Sequence, residues 1–374
     1  MLHALVPRPP EWRLDWDAVD GQVEEIRALR GCLQDPVHHG EGDVWVHTRM
    51  VVEALVADTQ WRGMDDRARR IVFWAAVLHD IGKPATSREE DGRITSRGHS
   101  RRGEIMARGL LWRLGADIAE REQVAALAGH HLVPFFLLER DDPLKLAARI
   151  SLRTRCDWLT LLARADATGR ISPDRQRILD AVALFEEFAR EAACLDAPFA
   201  FASDHSRFLY FLKDGRDPGF EAYDDTLLTA VLMSGLPAAG KDTWIADHLA
   251  GIPAVSLDRI RAELGIAHGK PQGRVIQFAR ERAREHLRAQ SDFVWNATNL
   301  TRQTRSSLIQ LFADYRARVR IVHLEAPPER LFARNSARDD AVPQAAIGRM
   351  LDRWEMPDLT ECHELQRLSV GGDG

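Results

Sequence analysis

The chain has 374 residues, of which 45% are hydrophobic and 29% are charged. This length predicts two domains, and this composition excludes a mostly disordered chain. The formal net charge of −5 argues against a protein that coats nucleic acid over its whole surface. A local basic groove stays open, because net charge does not report how charge is distributed. Only five of the 51 basic residues are lysine, so a lysine inside a motif is informative.

The cysteines and the N-terminus bear on the compartment of the protein. Cys32, Cys156, Cys194 and Cys362 form no C-x-x-C pair, which argues against a zinc ribbon or a disulfide scaffold. The first residues lack a basic segment followed by a long apolar stretch, so we expect no signal peptide. The longest apolar run, residues 71–78, is far shorter than the roughly 20 residues of a membrane helix. We therefore expect a cytoplasmic protein with no membrane partner, and a homo-oligomer stays open.

Residues 1–193 predict an all-α domain. Apolar residues recur there at helical spacing, with glycine and proline between the segments and no competing strand pattern. The predicted helical segments are residues 44–56, 68–78, 105–114, 124–132, 158–165 and 178–188. Residues 194–225 are rich in acids, glycine and proline, and we interpret them as a partly ordered connector.

Residues 226–374 alternate short apolar strand patterns with helical ones. This alternation predicts an α/β domain with a parallel sheet flanked by helices. The predicted strands are residues 227–233, 293–295 and 319–324, with a further strand ending near Val255. The predicted helices are residues 244–249, 275–287 and 306–315.

A glycine-rich loop follows the first of these strands. Residues 235–243 read GLPAAGKDT and match the pattern G-x-x-x-x-G-K, in which main-chain N–H groups surround phosphate at the start of a helix. Asp242 stands where Ser or Thr usually binds Mg²⁺, and a carboxylate can also hold this cation. The candidate residues for binding ATP or another NTP are Gly235, Gly240, Lys241, Asp242 and Thr243. The alternative is a chance glycine turn before a helix.

Further charged residues follow in the order that a kinase needs. Asp258 lies at the end of a strand, where a carboxylate can accept the proton of an attacking hydroxyl group. It could instead only cap the next helix. Arg261 comes three residues later and could hold a phosphate. Arg334 and Arg338 are four residues apart on one helical face, where they could close over a nucleotide or be solvated.

Taken together, these residues resemble the kinase domain of the polynucleotide 5′-kinases, the family of bacteriophage polynucleotide kinase. The resemblance covers about residues 226–355 and depends on the ordered set of motifs, not on any one of them. It implies that Lys241 binds phosphate and that Asp258 is the general base toward a 5′-OH. It also implies that Arg261 contacts the phosphate 3′ of the attacking nucleoside, and that Arg334 and Arg338 are lid arginines.

Eight of the 14 histidines lie in the first 131 residues, around the adjacent pair His79-Asp80. Imidazole and carboxylate together suit transition metals such as Mn, Fe, Co, Ni, Cu or Zn. The order His…His-Asp…His…His-His…Asp resembles the HD phosphohydrolase superfamily. The ligands that this resemblance implies for one ion are His47, His79, Asp80 and Asp166. With Asp80 as a bridge, the ligands implied for a second ion are His99, His130 and His131.

Other residues near this cluster have two interpretations. Lys83 completes the His-Asp-x-Gly-Lys pattern of the superfamily, and we interpret it as a phosphate contact. His38 and His39 lie beside Gly40 and Gly42 in a loop, and we expect them to be solvated. Any single histidine of the set could also be structural.

An HD phosphohydrolase domain followed by a polynucleotide kinase domain resembles the bacterial HD-Pnk end-healing enzymes. The resemblance implies hydrolysis of a 2′,3′-cyclic, 2′- or 3′-phosphate at an RNA or DNA end. It also implies Mg²⁺- and NTP-dependent phosphorylation of a 5′-OH. Residues 259–288 and residues 301–338 each hold eight basic and three acidic residues, so a local basic groove is expected despite the net charge.

Two other functions stay open. The first is a small-molecule kinase, acting on a nucleoside or an antibiotic, fused to a nucleotidase. The second is a nucleotide-sensing regulatory protein with degenerate sites, against which the complete set of histidines and aspartates argues.

Overall fold

The structure is a computed structural model that describes residues 2–267, 270–338 and 340–371. The chain divides into two compact units, Met1–Ala200 and Phe201–Gly374. The first unit is helical, and the second is an α/β unit with a five-stranded parallel sheet, so the predicted fold class is confirmed. Within the described residues, none of the helices has both the length and the apolar character needed to cross a membrane.

The first unit consists mainly of helices that begin at acidic caps. Asp43 and Asp65 accept hydrogen bonds from the main-chain N–H groups of Val46 and Ala68, and these bonds fix the first turns of two long helices. The helices are α1 (Trp16–Gln22), α2 (Glu24–Arg27), α3 (Val44–Ala57), α4 (Thr59–Arg62), α5 (Asp66–Leu78), α6 (Lys83–Thr86), α7 (His99–Arg113), α8 (Ile118–His130), α9 (Val133–Phe136), α10 (Pro143–Ser151), α11 (Cys156–Thr168) and α12 (Arg175–Glu191). Two 3₁₀ turns lie at Leu2–Leu5 and Leu137–Glu139.

A small antiparallel hairpin interrupts these helices. Strand β1 (Arg88–Glu90) pairs with β2 (Arg93–Thr95) between α6 and α7. No strand pattern was visible in this part of the sequence, and the domain is helical apart from this hairpin. Each strand has only three residues, which is too short for an alternating apolar pattern to be recognised.

The buried face of α3 shows how the helical core positions chemistry. Val44, Val51 and Leu55 are fully buried at helical spacing, and His47 lies on the same face with no solvent exposure. A buried imidazole on an apolar face requires polar partners at the centre of the unit. The core of this unit therefore surrounds a polar site.

The second unit is built on strands in the order β4-β5-β3-β6-β7, all parallel. The strands are β3 (Leu228–Ser234), β4 (Ala254–Ser256), β5 (Phe293–Asn296), β6 (Ala317–Glu325) and β7 (Glu364–Ser369). The helices are α13 (Asp204–Leu212), α14 (Lys241–His248), α15 (Leu257–Glu263), α16 (Gly273–Arg288), α17 (Arg302–Asp314), α18 (Pro328–Ser336) and α19 (Gln344–Leu351). Because the strands are parallel, the loops after β3, β4, β5 and β6 meet at one edge of the sheet.

Helix α13 lies inside the segment that the sequence analysis interpreted as a connector. Arg207 Nη2 donates a hydrogen bond to the carbonyl oxygen of His363 at 2.7 Å. The Phe208 ring lies 4.1 Å from the ring of the same histidine. These contacts make α13 part of the second unit, and the division of the chain falls between residues 200 and 201.

Candidate metal centre and phosphate loop

Side chains from three separate parts of the first unit meet around Asp80. His47 comes from α3, His79 and Asp80 follow α5, and Asp166 comes from α11. Asp80 Oδ2 lies 3.2 Å from His79 Nε2 and 3.8 Å from His47 Nε2. His47 Nε2 lies 3.1 Å from Asp166 Oδ1. The four residues predicted for one ion therefore lie together, and all are buried.

The other oxygen of Asp80 faces a second group of imidazoles. Asp80 Oδ1 lies 3.4 Å from His99 Nε2 and 3.7 Å from His131 Nε2, and these two nitrogens are 3.4 Å apart. Asp80 thus offers one oxygen to each of two groups of potential ligands. This is the arrangement that a carboxylate bridging two ions requires.

The chemistry of the donor set fits a metal. His79, His99 and His131 each direct Nδ1 at the main-chain carbonyl oxygen three residues earlier, at 2.7–2.8 Å, which leaves Nε2 to face Asp80. Nε2 of His47 and of His79, Oδ1 of Asp80 and Oδ2 of Asp166 are buried without a hydrogen-bond partner. Unsatisfied buried polar atoms are costly, and a cation coordinated by them would remove that cost.

The protonation states of these groups also suit metal binding. Burial lowers the pKa of His131 to about 3 and lowers the pKa of His99, so both imidazoles are neutral at physiological pH. Burial alone would raise the pKa of Asp80, but the cations of Lys83 and His79 hold it well below its usual range. Neutral imidazole and ionised carboxylate are the forms that coordinate metals, so His99, His131 and Asp80 already have the required forms. Burial acts to lower the pKa of His79 but the Asp80 carboxylate raises it, so metal binding at this imidazole would release a proton.

The position after Asp80 and Ile81 has no room for a side chain, which explains why Gly82 stands there. A Cβ atom at this position would lie 2.2 Å from the carbonyl oxygen of His99 and 2.6 Å from the main-chain nitrogen of Gly103. Only glycine allows the turn after Asp80 to pack this closely against α7. The close approach brings His99 to Asp80.

Lys83 lies against the bridging carboxylate. Its Nζ is 2.7 Å from Asp80 Oδ2 and donates a hydrogen bond to Gln34 Oε1 at 2.6 Å. The side chain is only 8% exposed. In this structure Lys83 therefore positions Asp80, and a contact with substrate phosphate stays a prediction.

His130, one of the ligands implied for the second ion, lies apart from the others. Its Nε2 is 2.9 Å from Arg153 Nη1, within a buried charged network that includes Glu104. Consecutive residues of a helix point about 100° apart, so His130 and His131 cannot both face Asp80. Among the described residues the structure brings His131, and not His130, into the groups that could hold a metal.

This difference gives a matched pair of variants. We expect His131→Ala to lower the content of the second ion by more than tenfold, because it removes a direct ligand. His130→Ala should leave the metal content of the purified protein unchanged. Metal analysis of both variants by mass spectrometry provides the measurement, and equal loss of metal in the two would contradict the assignment.

Three residues at this site, His39, Glu41 and Arg170, were not predicted from the sequence. His39 was expected to be solvated, but its side chain is only 11% exposed and its Nδ1 lies 2.8 Å from Glu41 Oε1; the expectation was wrong. His38, in contrast, is 56% exposed. Arg170 Nη2 donates a hydrogen bond to Asp166 Oδ1 at 2.8 Å. The four-residue spacing of Asp166 and Arg170 is a signal that could have been read.

A cleft of about 580 Å³ opens over the cluster. Asp80 and Lys83 line its floor, and Arg97, Arg177 and Phe136 are among the other residues that line it. Cations beside an aromatic ring suit a phosphate ester with an attached base or ring. The cleft thus gives a substrate access to the two groups of potential metal ligands that share Asp80.

The loop between β3 and α14 has the conformation of an anion-binding turn. Gly235 has φ +139°, and a Cβ there would lie 2.1 Å from the carbonyl oxygen of Leu324. Gly240 has φ +99° and caps α14. Ala238 adopts φ +61°, a strained value for a residue with a side chain, and such strain is common at functional turns.

Lys241 lies across this loop. Its Nζ donates hydrogen bonds to the carbonyl oxygens of Gly235 and Leu236 at 2.9 and 2.8 Å. Burial lowers the pKa of Lys241 to about 8, although the carboxylates of Asp242 and Asp258 act to raise it. Both carboxylates therefore lie in the electrostatic neighbourhood of the ammonium group.

The depressed pKa predicts a pH dependence of nucleotide binding. A bound triphosphate favours the charged ammonium group and raises its pKa, so binding takes up a proton above pH 8. We expect the affinity for ATP to change little between pH 7 and 7.5 and to fall by about tenfold or more between pH 7.5 and 9.5. Calorimetric titration at several pH values measures this effect. A Lys241→Arg variant serves as a control that stays charged, and an equal fall there would contradict the explanation.

Asp242 and Thr243 lie in the first turn of α14, and both are exposed. Asn296, the last residue of β5, donates a hydrogen bond from Nδ2 to Asp242 Oδ1 at 2.7 Å. Strand β5 is the neighbour of β3, and the loop after it reaches the phosphate loop, since Gly235 N–H donates to the carbonyl oxygen of Thr298. Asn296 was not predicted as a site residue.

Asp258 lies in the first turn of α15, at the same edge of the sheet. Ser256, rather than Asp258, caps this helix, because its Oγ accepts a hydrogen bond from Arg259 N–H. The Asp258 side chain is 64% exposed and forms an ion pair with Arg261, which also donates to Gln272 Oε1 at 2.9 Å. The helix cap therefore does not need the Asp258 carboxylate.

The two predicted lid arginines lie beside the phosphate loop. Arg334 is in the last turn of α18, and its Nη1 lies 3.6 Å from the position that a Cβ of Gly240 would occupy. Arg338 follows the end of the helix, and its charge acts to lower the pKa of Lys241. The structure thus brings both arginines toward Lys241.

Comparisons with known proteins match each half separately. A family model described as HD domain matches residues 44–167, and a model described as AAA domain matches residues 231–357. The chain is 37% identical over 139 residues to the A-adding tRNA nucleotidyltransferase of Deinococcus radiodurans, covering 35% of this chain and 30% of that protein. It is 29% identical over 190 residues to the multifunctional CCA protein of Alkalilimnicola ehrlichii, covering 50% and 44%. The chain thus spans less than half the length of these relatives.

A solved sugar kinase from a Janibacter species is 19% identical and covers 38% of this chain and 85% of its own. Its TM-score is 0.30, so the structural likeness is weak. Three observations agree: the two family matches, the His/Asp groups that share Asp80, and the phosphate loop. The chain combines an N-terminal HD domain, which implies metal binding, with a C-terminal kinase-like P-loop domain, which implies a nucleotide and Mg²⁺.

Proposed function

We propose that this chain is a bifunctional enzyme that heals nucleic-acid ends. Its HD domain removes a 2′,3′-cyclic, 2′- or 3′-phosphate, and its P-loop domain phosphorylates a 5′-OH with ATP or another NTP. The observation that carries the proposal is the pairing of two sites in one chain. One is a buried His/Asp cluster bridged by Asp80, and the other is a phosphate loop flanked by Asp258.

The residues of the HD site would act in defined roles. His47, His79, Asp80 and Asp166 would hold one transition-metal ion, and Asp80, His99 and His131 a second. Such ions, when bound, polarise a phosphate ester and make water an effective nucleophile at neutral pH. Lys83 orients the bridging carboxylate and would offset the charge of the bound phosphate. Arg170 holds Asp166 in the same way.

The kinase site would act by positioning and by charge. Lys241 would leave the carbonyl oxygens it now contacts and bind the β- and γ-phosphates. Asp258 would take the proton of the 5′-OH as that oxygen attacks the γ-phosphate. Arg261 would hold the next phosphate of the strand, and Arg334 and Arg338 would stabilise charge on the transferring group.

Two findings favour a nucleic acid over a small molecule. Residues 259–288 and 301–338 are strongly basic and contain α16, α17 and α18 of the kinase-like unit. The relatives matched by this chain include enzymes whose names refer to tRNA. Arg305 is buried against Glu361 and Arg318 pairs with Asp224 and Glu364, so the exposed excess of positive charge is smaller than the sequence count. A terminal segment of a single strand needs contacts to only a few phosphates.

The acceptor is the property that separates end healing from the small-molecule alternative. The test offers labelled ATP together with a 5′-OH oligonucleotide and a panel of nucleosides and aminoglycosides. Transfer to the oligonucleotide supports the proposal, and transfer only to a small alcohol contradicts it. In parallel, an RNA 2′,3′-cyclic phosphate is compared with free nucleoside monophosphates as substrate of the HD site.

Asp242 and Asn296 give a prediction about Mg²⁺ at the kinase site. P-loop enzymes hold Mg²⁺ with a hydroxyl on the loop and an Asp from outside it. Here a carboxylate is on the loop and a neutral amide contacts it from β5. We expect Asp242→Ser to weaken the Mg²⁺-dependent part of ATP binding by about tenfold or more. Adding Asn296→Asp should restore most of that loss.

The measurement is the ratio of ATP-analogue affinities with Mg²⁺ and with EDTA, which does not depend on the acceptor. Asp247→Asn, on the exposed side of the same helix, serves as the control. If Asp242→Ser keeps the wild-type ratio, the carboxylate has no role in holding the cation. If the double variant has no higher Mg²⁺-dependent affinity than Asp242→Ser, a carboxylate at residue 296 cannot replace the one at residue 242, and the proposed role of this pair is wrong.

A further inference from the structure

His47 differs from the other imidazoles of the metal cluster in what holds its Nδ1. The Nδ1 atoms of His79, His99 and His131 all face main-chain carbonyl oxygens of their own helices or turns. The Nδ1 of His47 instead lies 2.8 Å from Glu41 Oε1, in an ion-pair contact that is not an aligned hydrogen bond. Among these four imidazoles, it is therefore the one whose Nδ1 faces a charged side chain.

Glu41 is placed to act on more than one element. Its Oε1 lies 2.8 Å from the Nδ1 atoms of both His39 and His47, and its Oε2 accepts a hydrogen bond from Ile171 N at 2.8 Å. The carboxylate has no solvent exposure. Ile171 follows Arg170, which in turn holds Asp166. One buried carboxylate thus links a loop, α3 and the segment after α11.

Neighbouring main-chain contacts fix this loop against the same segment. Gly40 N donates a hydrogen bond to the Ile171 carbonyl oxygen at 2.8 Å. A Cβ at Gly40 would lie 3.1 Å from that oxygen, so the contact is close. Two backbone contacts with Ile171, from Gly40 N–H and to the Glu41 carboxylate, therefore place Glu41 independently of the imidazoles.

We propose that Glu41 is a positioning residue of the metal centre. Its negative charge, 2.8 Å from Nδ1, favours the His47 tautomer with the proton on Nδ1, so that the Nε2 lone pair faces Asp80 and Asp166, and the same charge makes this imidazole a stronger ligand. A carboxylate on the far nitrogen of a metal-binding histidine has this effect in general. The proposal rests on the proposed role of His47 as a metal ligand.

The charge-neutral variant Glu41→Gln tests the proposal. The glutamine side chain keeps an acceptor oxygen for Ile171 but loses the charge. We expect the affinity for Zn²⁺, measured in the full chain by competition with a chelator, to fall by about 10- to 100-fold. Glu41→Asp should recover part of the loss. Glu187→Gln, an exposed glutamate on α12 of the same unit, should bind Zn²⁺ as the wild type does.

A measurement on the wild-type chain avoids the risk that a variant fails to fold. ¹⁵N NMR of histidine-labelled protein reports the tautomer of each imidazole, and we expect His47 to carry its proton on Nδ1 with and without Zn²⁺. A proton on Nε2 in the metal-free chain would overturn the proposal. So would a folded Glu41→Gln variant with Zn²⁺ affinity within threefold of the wild type. A wild-type chain that binds no metal would overturn the proposed HD function as well.

Discussion

Replacing Asp80 by Asn is expected to abolish phosphoester hydrolysis while 5′-phosphorylation continues at the wild-type rate. Asp80 offers one oxygen to each of two groups of buried imidazoles, and asparagine has no second carboxylate oxygen or negative charge to offer. Loss of even an outer partner of a metal ligand costs about 10- to 100-fold, so loss of the bridge should exceed a hundredfold. Release of phosphate from an RNA 2′,3′-cyclic or 3′-phosphate end measures the effect.

The kinase assay on the same preparation is the internal control. The Asp80 groups belong to the unit Met1–Ala200 and the phosphate loop to Phe201–Gly374, so neither site borrows a described ligand from the other unit. Asp180→Asn, on α12, provides the matched substitution and should keep both activities. Loss of kinase activity in folded Asp80→Asn protein would contradict the model of two independent sites.

Replacing Asp258 by Asn is expected to lower the rate of phosphoryl transfer by about 10²- to 10⁴-fold, with little change in ATP affinity. Asparagine keeps the size of the side chain but cannot accept the proton of the 5′-OH. Ser256 provides the cap of α15, so the helix should remain intact. Single-turnover transfer from labelled ATP to a 5′-OH oligonucleotide separates the chemical step from nucleotide binding.

The neighbouring acid of the same helix provides the comparison. Glu263 is exposed at the end of α15 and pairs with Arg282, so Glu263→Gln should phosphorylate the oligonucleotide at the wild-type rate. Hydrolysis at the HD site should be unchanged in both variants. A folded Asp258→Asn protein that transfers phosphate at more than a tenth of the wild-type rate would exclude Asp258 as the general base.

The parts of the molecule that local patterns encode could be predicted from the sequence. The strand predicted at 227–233 is observed at Leu228–Ser234, and the glycine loop and α14 follow it as expected. A buried strand, a glycine turn and a lysine are adjacent in the chain, so their order specifies the structure directly. The helices that carry His47 and Asp166 were likewise visible in the apolar spacing.

The parts that depend on long-range packing could not be predicted. β7 was missed because its half-exposed residues form no apolar run, and it is recognised only by its pairing with β6. The helix inside the supposed connector is stabilised by contacts with residues more than a hundred positions away, such as Arg207 with His363. The composition of this segment does not reveal which distant residues it contacts.

The metal cluster shows the same limit at the level of single residues. Adjacent histidines at 130 and 131 look equivalent in the sequence, and only the rotation of α8 decides which one faces Asp80. Glu41 reaches the cluster from a loop, where no periodic pattern marks it. The ordered set of histidines and aspartates therefore predicted residues that the structure brings together, but not the carboxylate that contacts one of these imidazoles.

The central claim is that one chain repairs both ends of a broken strand. The most direct measurement incubates the protein with ATP, Mg²⁺, a transition metal and a single RNA that has a 5′-OH and a 2′,3′-cyclic phosphate. The mass of the RNA product is then measured by mass spectrometry. We expect a product that has gained a 5′-phosphate and carries a free 2′,3′-diol. An RNA that leaves the reaction with either end unchanged, from protein that still binds ATP and metal, would contradict the repair of both ends by one chain.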